Sequence, residues 1–378
     1  MKLVMTLLVR NEADIVEANI EYHLAQGVDF VIVTDHGSDD GTSEILREYE
    51  RMEVAKVIRD DAVGHHQSNR VTHMADLARV EYRADWVIHN DADEFWWPLV
   101  GNLRDVFASV PARFGQIEVQ RHNFRPCAEG EGPFYSQQTV REATSLSLSG
   151  GCFGPKVAHR PHPQVVVAPG NHSISGAELA MLSAEGMLQI FHFPMRSYEQ
   201  FERKVLQAGL GYEQVPDRSP GVGDEQLALL EMQRAGKLRE YHEGRIVGGE
   251  ALDRGLRMGT LVVDRRLADF MRALHSGERP PVRPEAASER ALLRRMMDAL
   301  DEVEQHREEL PRLHAENASA SVLIEQLRAQ LAELIERLDC TRSELQSASQ
   351  ALHLLRTSRL MRSTAWARRL YHHALGGH

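Results

Sequence analysis

Two aspartates one residue apart, Asp91 and Asp93, stand just past the apolar run Trp86-Val87-Ile88-His89-Asn90 and just ahead of Phe95-Trp96-Trp97-Pro98. Paired carboxylates at that spacing suit a hard divalent cation, because Mg2+ and Mn2+ prefer oxygen ligands and often bridge protein carboxylates to substrate phosphates. A solvated turn would show the same two residues, since aspartate is a common turn former. The apolar strand before them and the aromatic residues after them argue against a freely exposed loop. Other candidate clusters are weaker. His65-His66 and His159-Arg160-Pro161-His162 lack companion ligands that sequence can place, so they read as loop histidines. Gly150-Gly151 and Gly248-Gly249 lack the flanks of a phosphate-binding loop and read as turns.

The elements that must position the aspartates alternate strand and helix. Leu3 to Val9 is an apolar run ending in Arg10-Asn11-Glu12, followed by helical spacing at Ile15, Ile20 and Leu24 up to Gly27. Phe30 to Thr34 repeats the pattern, with the turn-rich Asp35 to Thr42 and a helix over Ser43 to Tyr49. A third strand, Val54 to Ile58, precedes a helix around Val71 to Tyr82, and the fourth, Trp86 to Asn90, delivers Asp91. Buried strands alternating with helices predict an α/β domain with a mostly parallel sheet, whose ligands bind beyond the carboxyl ends of the strands. Three polar loops fall at that edge: Arg10 to Glu12, Asp35 to Thr42 and Asp91 to Glu94. From residue 114 the pattern loosens into short strands such as Gln116 to Gln120 and Gln164 to Val167.

The motifs Leu8-Val9-Arg10-Asn11-Glu12, Val33-Thr34-Asp35-His36-Gly37-Ser38-Asp39-Asp40-Gly41-Thr42 and Asp85 to Phe95 occur in that order. Together they resemble the family 2-like glycosyltransferases, with a nearer likeness to the bacterial branch allied to the eukaryotic family 92 enzymes, whose strand ends in a similar Asp-x-Asp-Glu-Phe. A looser likeness continues through Ile190-Phe191-His192-Phe193-Pro194-Met195-Arg196-Ser197. The resemblance implies a GT-A fold, a Rossmann-like mixed sheet that binds a nucleotide-diphosphate sugar and Mn2+ or Mg2+. It implies that Asp35 contacts the nucleoside base and that Arg10, Asn11 and Glu12 shape the nucleotide pocket. Asp91 would lie near ribose and metal, Asp93 would ligate the metal, and His192 would complete its shell. The other reading of His192 is a half-buried structural histidine, since imidazole is the less usual ligand for a hard ion. Arg196, Lys204 and Arg70 are candidate diphosphate contacts, Arg being suited to bidentate phosphate recognition.

The implied reaction transfers a sugar to a saccharide or glycan acceptor in surface polysaccharide or glycan assembly. Charge builds on the leaving diphosphate as the sugar passes through an oxocarbenium-like state, so a metal clamp there stabilises departure. An inverting outcome, expected by analogy, needs a carboxylate base. Here the chain departs from the family 2 pattern. Glu118, Glu142, Glu178 and Glu185 are candidates, and none has a distinguishing context. That gap keeps open a different class, a non-catalytic scaffold that binds a nucleotide or glycan. A nucleotidyltransferase would need a Gly-rich, basic loop after its first strand, and Arg10-Asn11-Glu12 does not supply one.

These features divide the chain into a transferase domain over 1–275, a linker over 276–290, a coiled coil over 291–355 and a basic amphipathic tail over 356–378. The domain would comprise a nucleotide-sugar-binding half over 1–113 and an acceptor half over 114–275. The linker is Pro-rich, and beyond it an apolar seam at 3-4 spacing is clearest from Ile324 through Leu327, Leu331, Leu334, Leu338, Leu345 and Leu352 to Leu355. Such a seam predicts a homo-oligomer, with a single helix packed back on the domain as the alternative. His306, Pro311 and Asn317 weaken the first part and predict a break near Glu309. The tail carries Arg356, Arg359, Arg362, Arg368 and Arg369 with Trp366 and Tyr371 and no acidic residue, which suits either peripheral membrane contact or an end cap of the coiled coil.

Across its 378 residues the chain carries a net charge of -11, which argues against a nucleic-acid partner bound through a broadly basic surface. Three separated cysteines, Cys127, Cys152 and Cys340, form no disulfide framework or zinc knuckle. No run is apolar enough to span a membrane, so the expected location is the cytoplasm or the cytoplasmic membrane face.

Overall fold

The computed structural model describes residues 1–61, 67–128, 130–146, 153–184, 186–215, 221–277 and 321–357, with scattered residues between 295 and 307. Glu185, His65-His66, Gly150-Gly151, Cys152, most of the linker, the expected break near Glu309 and the tail beyond Thr357 lie outside the described residues. The chain divides into two compact units, one holding almost everything up to Arg283 and one holding Leu99–Gly101, Ser109–Pro111 and Pro284–His378.

The first unit opens with β1 (Leu3–Val9), α1 (Val16–Ala25), β2 (Phe30–Asp35), α2 (Thr42–Arg51), β3 (Ala55–Arg59), α3 (Gln67–Val80) and β4 (Trp86–Asn90). Then come β5 (Glu94–Pro98), α4 (Leu103–Ser109), β6 (Phe114–Val119), β7 (Arg121–Asn123), α5 (Phe134–Gln137), β8 (Val140–Glu142) and β9 (Lys156–His159). Short strands β10 (Val166–Val167), β11 (Ile174–Ser175), β12 (Ala180–Ser183) and β13 (Leu188–His192) lead to helices α6 (Tyr198–Glu213), α7 (Asp224–Arg234), α8 (Leu238–Arg245) and α9 (Gly249–Arg257). β14 (Leu261–Val263) and α10 (Arg266–His275) end it.

The main sheet has seven strands in the order β12-β6-β9-β4-β1-β2-β3. β4, β1, β2 and β3 are parallel, as their continuous apolar runs predict, because a strand with helices on both faces has no solvent side to alternate toward. β9 breaks the pattern by running antiparallel between β4 and β6. Its four residues are all buried, and they include Lys156 and His159, so polarity hid this strand from a hydrophobicity reading. The sheet is therefore the mixed sheet of a GT-A fold, and it takes strands from both sides of position 113. Gly248 and Gly249, expected as a turn, form the start of α9 instead.

A second sheet, β5-β13-β7, stands beside the end of β4 and does most to place the site. β13 runs antiparallel to β5, with His192 opposite Glu94, and parallel to β7, with His192 opposite Asn123. Aromatic packing fixes this register. Trp97 stacks on Phe191 with centroids 5.2 Å apart, and Phe124 stacks on Phe193 at 4.3 Å. Such pairs each add about 0.5–1.5 kcal/mol beyond the area they bury.

α6 has two working faces. Tyr198, Phe201, Val205 and Gly209 pack inward, and Gly209 lies so close to α7 that an added Cβ would come within 2.7 Å of Leu230. Gln200, Arg203, Lys204, Gln207, Ala208 and Gly211 recur at 3-4 spacing and face a cleft instead. The Ser197 side chain caps the helix by accepting the Gln200 N–H at 3.1 Å.

In the second unit, α11 (Ser321–Thr357) is the principal described element. Along it Leu334 and Leu345 are buried, Leu327, Leu331 and Leu338 are half-buried, and Arg328, Glu333 and Glu336 are exposed. No helix among the described residues is long and apolar enough to cross a membrane.

Candidate active site

A cleft of about 780 Å³ lies across the carboxyl ends of β1, β2 and β3, roofed by α6. It is lined by Arg10, Asn11 and Glu12 from the first loop, His36 to Asp39 from the second, Arg59, Asp61 and Arg70 near β3, and Lys204 with its helical neighbours. That size and position suit a nucleotide-sized ligand at the carboxyl edge of an α/β sheet.

The first two loops hold each other. The N–H of Asn11, a residue in the left-handed region with φ 59°, donates to Ser38 Oγ at 3.0 Å, and Asn11 Oδ1 accepts the Asp39 N–H at 2.9 Å. Glu12 N–H donates to Thr42 Oγ1 at 2.9 Å. Asp35 is buried, with one carboxylate oxygen accepting the Ser38 N–H at 3.0 Å and the other accepting the Ser43 hydroxyl. Its described bonds therefore shape the second loop, and Asp35 is not among the residues that line the cleft. Arg70 does line it, with Nε donating to Asp60 at 2.6 Å.

Asp91 and Asp93 follow β4 on a turn clamped from behind. Fully buried Asn19 of α1 donates to the carbonyls of Ala92 at 2.9 Å and Glu94 at 2.7 Å, and Asn90 Nδ2 donates to Asn19 Oδ1 and to Glu94 O, both at 3.1 Å. Phe193 N–H donates to Asp93 O at 2.8 Å, which ties the turn to β13. Each aspartate has its own lysine. Asp91 pairs with Lys156 of β9 through one oxygen and accepts from Asn171 Nδ2 at 3.0 Å through the other. Burial pushes the Asp91 carboxyl up, but the charge and hydrogen bond of Lys156, with help from Lys204, together hold the group below the usual range. Lys156 also reaches Glu94 at 3.2 Å, and Arg121 reaches the same Glu94 oxygen at 3.3 Å. Burial wins at Glu94, whose pKa is raised, and its other oxygen is buried without a partner.

Asp93 is nearly inaccessible and faces α6 and β13. Its Oδ2 pairs with Lys204 and lies 3.5 Å from His192 Nε2. Burial works against the charge, yet Lys204 and then His192 hold Asp93 well below the ordinary carboxylate range. His192 Nδ1 donates to Asn123 Oδ1 at 2.7 Å, which directs Nε2 toward Asp93.

Arg196 is committed elsewhere. Its Nη2 donates to Glu12 at 2.5 Å, its Nε to Asp14 at 2.6 Å and its Nη1 to Phe193 O at 3.1 Å. The guanidinium thus clasps the first loop to the end of β13, and its pKa is raised because Glu12 and Asp14 overcome the cost of burial. Burial raises Glu12 against the opposing pull of Arg196 and Lys204.

Among the described residues, no cluster of three or more histidine, cysteine or acidic side chains is poised for a metal ion. Asp93 and His192 converge, whereas Asp91 is turned to Lys156 and Asn171. A carboxylate and an oriented imidazole fit Mn2+ or Mg2+ only with a substrate's phosphates supplying further ligands, which is how such ions are commonly held. Of the carboxylates considered as a base, Glu118 is half-buried on β6, Glu142 pairs with Arg125 at 2.8 Å and Arg245 at 3.2 Å, and Glu178 is exposed. None of these three lines the cleft. Sequence reasoning missed Lys156 and Asn171, which reach Asp91, Asn123, which reaches His192, and Asn19, which holds the carbonyls on either side of Asp93.

Comparison with solved structures finds S. aureus TarS 1-349 in complex with UDP-GlcNAc at 13% identity and TM-score 0.35, over 77% of this chain and 92% of that one. The M. tuberculosis glucosyl-3-phosphoglycerate synthase with Mn2+, uridine diphosphate and phosphoglyceric acid aligns over 32% of this chain and 43% of that one, at 16% identity and TM-score 0.25. No curated protein matches the chain. The profile of glycosyltransferase family 92 matches residues 5–220, a span that runs from β1 through the Asp91-Ala92-Asp93 turn and His192 to α6. The chain belongs to glycosyltransferase family 92.

Proposed function

We propose that this transferase is metal-dependent, moving a sugar from a nucleotide-diphosphate donor in the β1–β2–β3 cleft to a saccharide or glycan acceptor. The observation that carries the proposal is the convergence of Asp93 and His192, 3.5 Å apart, beside a cleft roofed by Lys204. Asp93 and His192 would hold Mn2+ or Mg2+, which supplies charge stabilisation to the leaving diphosphate. The chain's own residues do the rest. Asn11, Ser38 and Asp39 set the loop that would meet the nucleoside, Arg10 and Arg203 bring positive charge to the cleft, and Asp91, held by Lys156 and Asn171, would lie near the ribose as the resemblance implies. The inverting outcome is carried over from the resemblance, and the anomeric configuration of the product, read by NMR, decides it.

The test is Asp93→Ala, which is expected to abolish metal-dependent donor hydrolysis and transfer with circular dichroism unchanged; full turnover in that variant overturns the proposal. Calorimetry with UDP-, GDP-, CMP- and dTDP-sugars in the presence of Mn2+ identifies the donor. We further propose self-association through the seam of α11 and a place at the cytoplasmic membrane face in surface glycan assembly, both resting on the sequence pattern.

A further inference from the structure

The two lysines beside the aspartates differ in kind. Lys156 is fully buried and wedged between Asp91 and Glu94, where nothing can displace it without opening the sheet. Lys204 reaches Asp93 from a helix across the open cleft, and its side chain stays 41% exposed while the carboxylate it neutralises is 2% exposed. Its ammonium sits on Asp93 Oδ2, the oxygen that His192 Nε2 faces, and 3.9 Å from Glu12 Oε1. A divalent ion bound by Asp93 and His192 needs that same oxygen, and two cations cannot share one carboxylate oxygen at contact distance without strong repulsion. A lysine has a flexible four-carbon stem and a point charge that can leave one anion for another.

We propose that Lys204 is a displaceable counter-cation. In the donor-free protein it occupies the metal's place on Asp93 and keeps a free divalent ion out. When the donor arrives, its diphosphate draws the ammonium off Asp93, which frees Asp93 and His192 as the residues that would hold a divalent ion, whose charge would then stabilise the diphosphate. Metal and donor binding are then coupled, each favouring the other because both depend on the same move of Lys204. This rests on the metal-dependent reading above.

The experiment measures Mn2+ binding to the full chain by electron paramagnetic resonance of free Mn2+, with and without UDP. Wild type is expected to bind Mn2+ weakly alone and much more tightly with UDP. Lys204→Gln is expected to bind Mn2+ at least tenfold more tightly than wild type without nucleotide, and adding Asp93→Asn is expected to remove the gain. Lys204→Arg, which keeps the charge, should stay weak. Unchanged nucleotide-free affinity in Lys204→Gln, alongside tight binding by wild type with UDP, overturns the role of Lys204 and leaves the metal reading standing. No Mn2+ binding by either protein, even with UDP, overturns the metal reading and this inference with it.

Discussion

Asn123 Oδ1 accepts a hydrogen bond from His192 Nδ1 at 2.7 Å, across the parallel pairing of β7 with β13. The contact decides which nitrogen of the ring faces Asp93. Replacing Asn123 with Ala leaves the imidazole free to turn, and loss of such an orienting partner typically costs about 10–100-fold in metal affinity or activity. Asn123→Ala should therefore raise the Mn2+ concentration needed for half-maximal donor hydrolysis, while excess Mn2+ restores much of the rate. A lowered rate that no amount of Mn2+ recovers would assign Asn123 a different role.

Arg196 bonds to residues 182 and 184 positions earlier, Asp14 and Glu12. Its side chain is only 2% exposed, so Arg196→Met strands Glu12 at 12% exposure without its main counter-charge. Breaking a buried pair in this way costs about 3–5 kcal/mol, which is to be read from urea unfolding of the variant against wild type. A cost below about 1 kcal/mol would mean that the clasp behaves like a surface pair.

Asn19 Nδ2 donates to both carbonyls that flank Asp93, and Asn90 Nδ2 shares the second of them. In Asn19→Ala the Ala92 carbonyl loses this donor at a cost of about 1–3 kcal/mol while Asn90 still reaches Glu94 O, and a displacement of the turn by about 1 Å lowers turnover by as much as about 100-fold. Steady-state kinetics should show kcat falling with donor KM little changed. Intact kcat in a folded variant would show that the turn holds itself.

Much of this is legible in the sequence, for specific reasons. β1 and β4 lie where the apolar runs Leu3 to Val9 and Trp86 to Asn90 place them, because strands buried on both faces write themselves as unbroken hydrophobic sequence. The Asp91-Ala92-Asp93 turn was visible for the same reason, as polar residues that break such a run. β9 was not visible, since its burial of Lys156 is balanced by carboxylates more than sixty positions away in the chain. The sequence offers Arg196 and Lys204 alike as candidate diphosphate contacts, but their division of labour depends on which face of the chain each occupies. Arg196 precedes α6 and turns inward, whereas Lys204 is on the cleft face of the helix.

Stability should fall on acidification. His23 is buried, donates from Nδ1 to Asn19 O at 2.8 Å and accepts the Trp96 N–H at 3.3 Å on Nε2, and burial lowers its pKa to about 4. Burial likewise lowers His159 to about 4. In the unfolded chain both titrate near 6.5, so the unfolded state takes up protons first. Their contribution is fully present above pH 6.5 and is lost as pH falls toward 4, at about 1.4 kcal/mol per pH unit for each histidine. Urea unfolding at pH 7.5 and pH 5 should differ by about 2 kcal/mol for each histidine, and His159→Gln should shrink the difference. Equal stability at the two pH values would refute the assignment of both as neutral buried rings.

Self-association is tested by sedimentation of the full chain and of the chain cut after Pro284. The seam of α11 predicts that the full chain is an oligomer and the shortened one a monomer. An unchanged sedimentation coefficient per unit mass would place the contact elsewhere.

The bond from Arg196 back to Glu12 also bears on how the protein comes into being. The walls of the cleft are made near the start of the chain, but the residues that fasten and roof it are synthesised only after β13. A chain interrupted before Arg196 holds the four parallel strands and the Asp91-Ala92-Asp93 turn, yet has neither clasp nor roof. The cleft's first wall and its fastening are thus separated by most of the domain's length, and the chamber is complete only when both ends of that stretch are present.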